Sequence, residues 1–209
     1  MDAVFELWNE YILKEWEGGI ADRPLKDDPG GLTNKGVTIA VWREWAPKLF
    51  NIVGNEATLR QLTEAQAKRV AYEIYWKFYG IDKVTNPAIK LLLADSVWGG
   101  GGYSSLGYKS GSYAQRAAQI NKDNQANSNL FSVLVNRRLA YLRSLPNYQA
   151  NKNGWENRVW KGDRQRLSLT QVVAKYKLNN ATVGIGIITA LTMFIVGRAV
   201  YKQLKESKK

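Results

Sequence analysis

The sequence predicts a mainly α fold, two helical lobes followed by an apolar membrane-spanning tail, on three observations. Apolar residues recur at three- and four-residue spacing in several segments, the mark of helices with one buried face. No alternating strand pattern stands out, the nearest approach being the loop at residues 31–37. From Ala181 to Val196 the chain carries no charge at all.

Val4, Phe5, Trp8, Ile12 and Trp16 place one apolar face on residues 2–17, and Gly18-Gly19 closes that helix. Residues 20–37, rich in Asp, Gly, Pro and Asn, read as loop, and Thr38 to Trp45 as a short helix. Thr63 with Gln66 forms a capping box that opens a helix over 64–79, closed by Gly80. Asn86-Pro87 supplies a cap and a first-turn proline for a helix to Trp98. The Gly-rich stretches at 99–102 and 107–111 mark a lobe boundary. Ser112 with Gln115 opens a helix to about Asn121. Residues 128–145 form a long basic helix carrying Arg137, Arg138 and Arg143, and residues 154–161 are helical. The expected division is a first lobe over 1–97, a second over 98–174 and a tail over 175–209.

The apolar run is short of the ~20 residues that cross a bilayer. Carried through Tyr201, with Arg198 snorkelling, it becomes a transmembrane helix over about 181–201. Asp2, Glu6 and Glu10 exclude a signal peptide at the N-terminus.

Cysteine and histidine are both absent. That excludes disulfides, thiolate nucleophiles, a Ser-His-Asp triad and His-based zinc sites, so acid–base chemistry falls to Asp, Glu, Lys or Tyr. No metal or cofactor is expected. The net charge of +12 is uneven, with residues 1–95 holding 12 Lys/Arg against 14 Asp/Glu, and residues 96–174 holding 11 against 3. A basic second half suits an anionic partner: nucleic acid, anionic lipid or bacterial cell wall. No nucleic-acid motif surrounds the basic residues, so that partner is not expected.

The informative segment runs from Trp16-Glu17-Gly18-Gly19 to Asp27-Asp28-Pro29-Gly30-Gly31-Leu32-Thr33-Asn34-Lys35-Gly36-Val37-Thr38. Glu17 ends a helix beside Trp16, where the negative helix end and apolar surface favour the protonated carboxyl that a general acid needs. Asp27 and Asp28 follow on a loop where a second carboxylate can stay ionised. Two carboxyls in different settings are what glycosidic cleavage requires, and glycines beside them admit a sugar close to the backbone. A Glu before Gly-Gly also ends ordinary solvated helices, and Asp-Pro-Gly is an everyday turn.

Glu17, Gly18, Gly19, Asp28, Pro29, Gly30, Gly31, Thr33, Asn34, Gly36 and Thr38 together resemble the signature of glycoside hydrolase family 108, the N-acetylmuramidases of phages and bacteria. Asp95, Arg137 to Tyr141, and Gly154-Trp155-x-Asn157-Arg158-Val159 resemble the peptidoglycan-binding lobe that follows in such proteins. The resemblance covers roughly residues 3–170. It implies a lysozyme-like fold and cleavage between N-acetylmuramic acid and N-acetylglucosamine, with Glu17 as catalytic acid. Asp28 would orient water or stabilise the transition state, with Asp22 and Asp27 as rivals, and Thr33 would hold the water. Trp16, Gly18, Gly19, Asn34, Trp98 and Tyr103 are the candidate substrate-binding residues. Tyr75 and Phe78 are read as core. Trp155 with Arg158 is read as closing the second lobe against the first, and the Arg137–Arg138 pair as meeting either wall or solvent. Ile20 departs from the aromatic residue common after Glu-Gly-Gly.

The expected partners are bacterial peptidoglycan, a lipid bilayer through the tail, and other virion proteins. Two placements follow. One is a phage particle with an internal membrane, acting during infection; the other is the host inner membrane facing the periplasm, acting at lysis. The rival reading is an inactive lysozyme scaffold serving as a virion structural or wall-binding protein.

Overall fold

The computed structural model describes residues 2–22 and 30–179. The Asp2 carboxylate accepts from the Val4 N–H at 2.8 Å and so caps the first helix. That helix, α1 (Ala3–Trp8), runs through a π-helical segment (Asn9–Leu13) into α2 (Lys14–Trp16) and stops at Glu17, whose backbone is extended.

Where the sequence suggested a loop, β1 (Ile20–Asp22), β2 (Leu32–Asn34) and β3 (Val37–Thr38) form an antiparallel sheet in that order. Strands of two and three residues are too short to print a period-two pattern. Asn34 pairs with Val37, and the two residues between them, Lys35 at φ 49° and Gly36 at φ 77°, both sit at positive φ. A two-residue hairpin turn of the I′ kind demands that at both positions, which explains a glycine there.

Next come α3 (Ile39–Phe50), longer than expected, and an unexpected short α4 (Glu56–Arg60). α5 (Glu64–Val70) opens on the Thr63–Gln66 capping box and continues as a π-helix over Ala71–Phe78. α6 (Pro87–Trp98) starts on the Asn86 cap and ends where the sequence placed it. After α7 (Gly102–Ser105), α8 (Tyr113–Ala126) and α9 (Leu130–Arg143), α10 (Tyr148–Glu156) passes into a π-helical segment at Asn157–Lys161. A further unexpected helix, α11 (Leu169–Lys175), opens on a Ser168–Gln171 capping box.

Two apolar cores organise these elements. The smaller joins Leu32, Val37, Trp42, Leu59, Val70 and Ile74 beneath the sheet. The larger joins α1, with Phe5, Leu7 and Trp8, to Leu91–Leu93 of α6, Leu134 of α9 and Val172 of α11. That core runs across the boundary expected at 97/98, because α6 is buried on nearly every face. Trp98, Tyr75 and Tyr79 pack against both cores. The expected span at 181–201 lies outside the described residues; among these, no helix is long and apolar enough to cross a membrane.

Candidate active site

Glu17 stands where α2 ends against this joint. Its Oε1 accepts two hydrogen bonds, from the Trp98 indole Nε1–H at 3.0 Å and from Arg158 Nη1 at 3.1 Å. These donors replace the apolar surface that the sequence led us to expect. The other oxygen, Oε2, lies beside Gly36 at the tip of the β2–β3 turn, where an added Cβ would stand 3.0 Å from it and 2.4 Å from Trp98 Cζ2. Gly36 is therefore required twice, by its φ and by the close approach of the indole.

Arg158 continues the chain of contacts inward. Its Nε faces Asp95 Oδ1 at 2.8 Å, an ion pair whose N–H is not aligned for a hydrogen bond. Asp95 is 1% exposed; on its far side Oδ2 faces Arg138 Nε at 3.7 Å, and Arg138 is fully buried. Arg138 donates to Gly100 O at 2.6 Å and Gly99 O at 3.4 Å. A Cβ at Gly99 would meet Arg158 Nη2 at 2.2 Å, so the Gly-rich stretch read as a boundary is the seat of two guanidinium groups. Burial opposes the charge on Arg158, but Asp95 and Glu17 outweigh it and hold the group above its ordinary value. Burial pulls Arg138 down to about 10 against the pull of Asp95, which leaves it a cation at neutral pH.

Tyr75 meets the Trp98 ring edge-on, with centroids 4.6 Å apart. Burial, then Tyr79 and Glu17, push its hydroxyl up to about 12, so it stays a neutral phenol. The three helical runs that supply Glu17, Tyr75 and Arg158 all contain π-helical segments, a distortion frequent at functional sites because it re-aims side chains.

Glu17, Gly18, Gly19 and Lys35 border a cleft of about 210 Å³, edged by Lys14 and Lys68. Among the described residues, no atom beyond the chain neighbours lies within 4 Å of a Cβ built on Gly18 or Gly19, which leaves room beside this rim for a bulky substrate.

The other residues singled out from the sequence fall into distinct places. Thr33 lies on β2, opposite Ala21 and Thr38, and its hydroxyl donates to Gly31 O at 3.1 Å. Asp28 and its rival Asp27 lie outside the described residues. Asp22 is engaged by Arg60 at 2.6 Å. Asn34 is buried and donates to Leu59 O at 2.8 Å, which ties the sheet to α4 rather than facing a ligand. Tyr103 is 1% exposed, its hydroxyl spent on Tyr79 O, so it is a core residue. Trp16 donates to Leu167 O, and the Arg166 guanidinium covers its ring at 4.1 Å, which blocks that face to a sugar. Trp98 holds Glu17. Phe78, expected in the core, is exposed, and Arg138, read as meeting wall or solvent, is buried. Asp95, Arg138 and Tyr75 were not singled out as site residues. The legible signal was a lone Asp within the apolar run Leu-Leu-Leu-Ala-Asp-Ser-Val-Trp, since a buried carboxylate needs a cationic partner. Among the described residues no cluster of three or more metal-type ligands forms.

Residues 10–101 match the glycosyl hydrolase 108 family, and this segment makes the chain a glycoside hydrolase. The fold is similar to the solved structure of Brucella abortus SagA, with 21% identity, a TM-score of 0.58, and coverage of 86% of this chain and 95% of that one. No curated protein matches the chain. The matched segment contains Glu17, Gly36, Asp95 and Trp98, whereas Arg158 lies well beyond it.

Proposed function

We propose that the protein is a peptidoglycan hydrolase that cleaves the bond between N-acetylmuramic acid and N-acetylglucosamine. The observation that carries this reading is Glu17, gripped at Oε1 by two N–H donors and placed beside an open Gly-Gly rim, within the segment that matches glycosyl hydrolase 108. With Oε1 accepting twice, Oε2 is the oxygen left to deliver a proton to a substrate. That proton passes to the glycosidic oxygen as the C1–O bond breaks and its electron pair moves to the leaving oxygen. Water adds to C1 and gives its own proton to a second carboxylate, a role we assign to Asp28, with Thr33 positioning the water. Lys14 and Lys68 on the rim are paired with Glu10 and Glu6, so the charge that suits the carboxylates of wall muropeptides is that of Lys35.

The segment over about 181–201, the uncharged run 181–196 extended past Arg198, completes the proposal as a membrane anchor, with the enzyme deployed in phage infection or host lysis; flotation of the full chain with lipid vesicles, against a chain ending at residue 179, tests the anchor. The activity is tested by incubating purified peptidoglycan with the full chain and with Glu17→Gln. We expect clearing and new N-acetylmuramic acid reducing ends from the wild type, lost in the variant. New reducing ends on N-acetylglucosamine, or equal clearing by both proteins, refute the assignment.

A further inference from the structure

The segment that matches the hydrolase family ends at residue 101, yet one of the two groups gripping Glu17 comes from residue 158. Arg158 is not a surface arginine that happens to reach a carboxylate. Its side chain is 12% exposed, it is braced from behind by Asp95, and Asp95 is braced in turn by Arg138, whose guanidinium is anchored on the carbonyls of Gly99 and Gly100. Gly99 has no side chain at the one place where a Cβ would strike Arg158 Nη2 at 2.2 Å. The backbone, the glycine and two charged side chains thus converge on the placement of a single guanidinium.

Charge points the same way. Arg138 and Arg158 set two positive charges against the one negative charge of Asp95, and that excess faces Glu17. Burying an ion cluster with an uncompensated charge is unfavourable, so the arrangement makes sense as a receiver for a second carboxylate.

We propose that Arg158 is a positioning residue for the hydrolytic reaction. Held by Asp95, it fixes Glu17 through Oε1, aims Oε2 at the cleft, and neutralises the carboxylate that forms as the proton leaves. The proposal rests on the reading of Glu17 as the acid. It assigns the C-terminal half of the chain a part in the reaction itself, beyond any grip on the wall. Donors already in place for a charge that develops during reaction need no reorganisation, which is where electrostatic assistance is largest. Lysine is no substitute: its single ammonium cannot span Asp95 and Glu17 together as the guanidinium fork does.

The test uses the full chain with Arg158→Lys and the double variant Asp95→Asn/Arg158→Gln, the second of which removes one buried cation with one buried anion and leaves Arg138 on the Gly99 and Gly100 carbonyls; thermal unfolding reports that each variant is folded. Two readouts are taken: kinetics on soluble muropeptide oligomers, and the indole N–H resonance of Trp98, assigned with Trp98→Phe. We expect kcat to fall about 100-fold, the scale of a small misplacement of a catalytic group, with KM within threefold of wild type. We also expect a shifted Trp98 resonance, because the carboxylate that the indole meets has moved. Unchanged kcat and an unchanged resonance overturn the inference while leaving Glu17 as the acid. A loss expressed in KM alone overturns it too, since that marks a substrate contact. The resonance also separates this inference from the underlying reading: if Glu17→Gln proves as active as wild type, the acid is elsewhere, and an unmoved resonance in Arg158→Lys still refutes the positioning.

Discussion

Arg158 Nη1 donates to Glu17 Oε1 at 3.1 Å across 141 positions of sequence, so the candidate catalytic carboxyl is held by the far half of the chain. Three expectations follow from the packing around that contact, and a fourth from the cluster around Glu156.

Glu17→Gln keeps the size of the side chain and its capacity to accept from Trp98 and Arg158, but it has no proton to donate. Hydrolysis of peptidoglycan is expected to fall by about 10³-fold, within the span of general-acid contributions. Thermal unfolding should stay within a few degrees of wild type, which distinguishes chemistry from folding.

Asp95→Asn removes the carboxylate that stands between the Arg138 and Arg158 guanidinium groups. Loss of one partner from a buried ion cluster costs about 3–5 kcal/mol. Denaturant unfolding should show that loss, and the double variant with Arg158→Gln should recover part of it.

Gly36→Ala puts a methyl group 2.4 Å from Trp98 Cζ2 at a φ of 77°. Strain and overpacking together should cost about 2–3 kcal/mol. Because the displaced ring carries the Nε1–H that Glu17 accepts, activity should drop more than stability alone predicts. Gly18→Ala, which meets nothing within 4 Å among the described residues, serves as the comparison, and chemical unfolding beside initial rates makes the measurement.

Glu156 is hydrogen-bonded by Lys161, Tyr148 and Arg143, in that order of effect, and these hold its carboxyl down at about 2. The folded-state value lies below the ordinary carboxylate value of about 4.3, so the stabilisation is present above that value and is lost as pH falls toward 2. Arg143 and Lys161 are more than half exposed, which limits the contribution to about 1 kcal/mol. Glu156→Gln should be less stable than wild type by that amount at pH 7, with the two unfolding curves converging as pH falls to about 2.

Capping chemistry was legible because it is local. Asn86-Pro87, Thr63 with Gln66, and Ser112 with Gln115 each place a side chain within three residues of the backbone group it satisfies, and those helices start where the sequence put them. The same box at Ser168 and Gln171 opens α11, and it passed unread behind a basic, weakly periodic stretch. The sheet was hidden because its strands pair over two or three residues only. Tyr103 and Asn34 looked like ligands by residue type, yet the Tyr103 hydroxyl and the Asn34 amide N–H are taken by Tyr79 O and Leu59 O. Residue type alone does not say whether a hydrogen bond points inward or toward a substrate.

By itself the sequence determined the helical class, the capped starts of α5, α6 and α8, the exclusion of histidine and cysteine chemistry, and Glu17 at the end of the first helix beside Gly18-Gly19. Each of these depends on groups within a few residues of one another, where covalent connection alone sets the geometry. Only the tertiary structure decided what grips Glu17. Trp98 and Arg158 reach it because α1, α6 and the π-helical segment after α10 share one core, and the charges on Arg158, Asp95 and Arg138 find partners only once that core has closed.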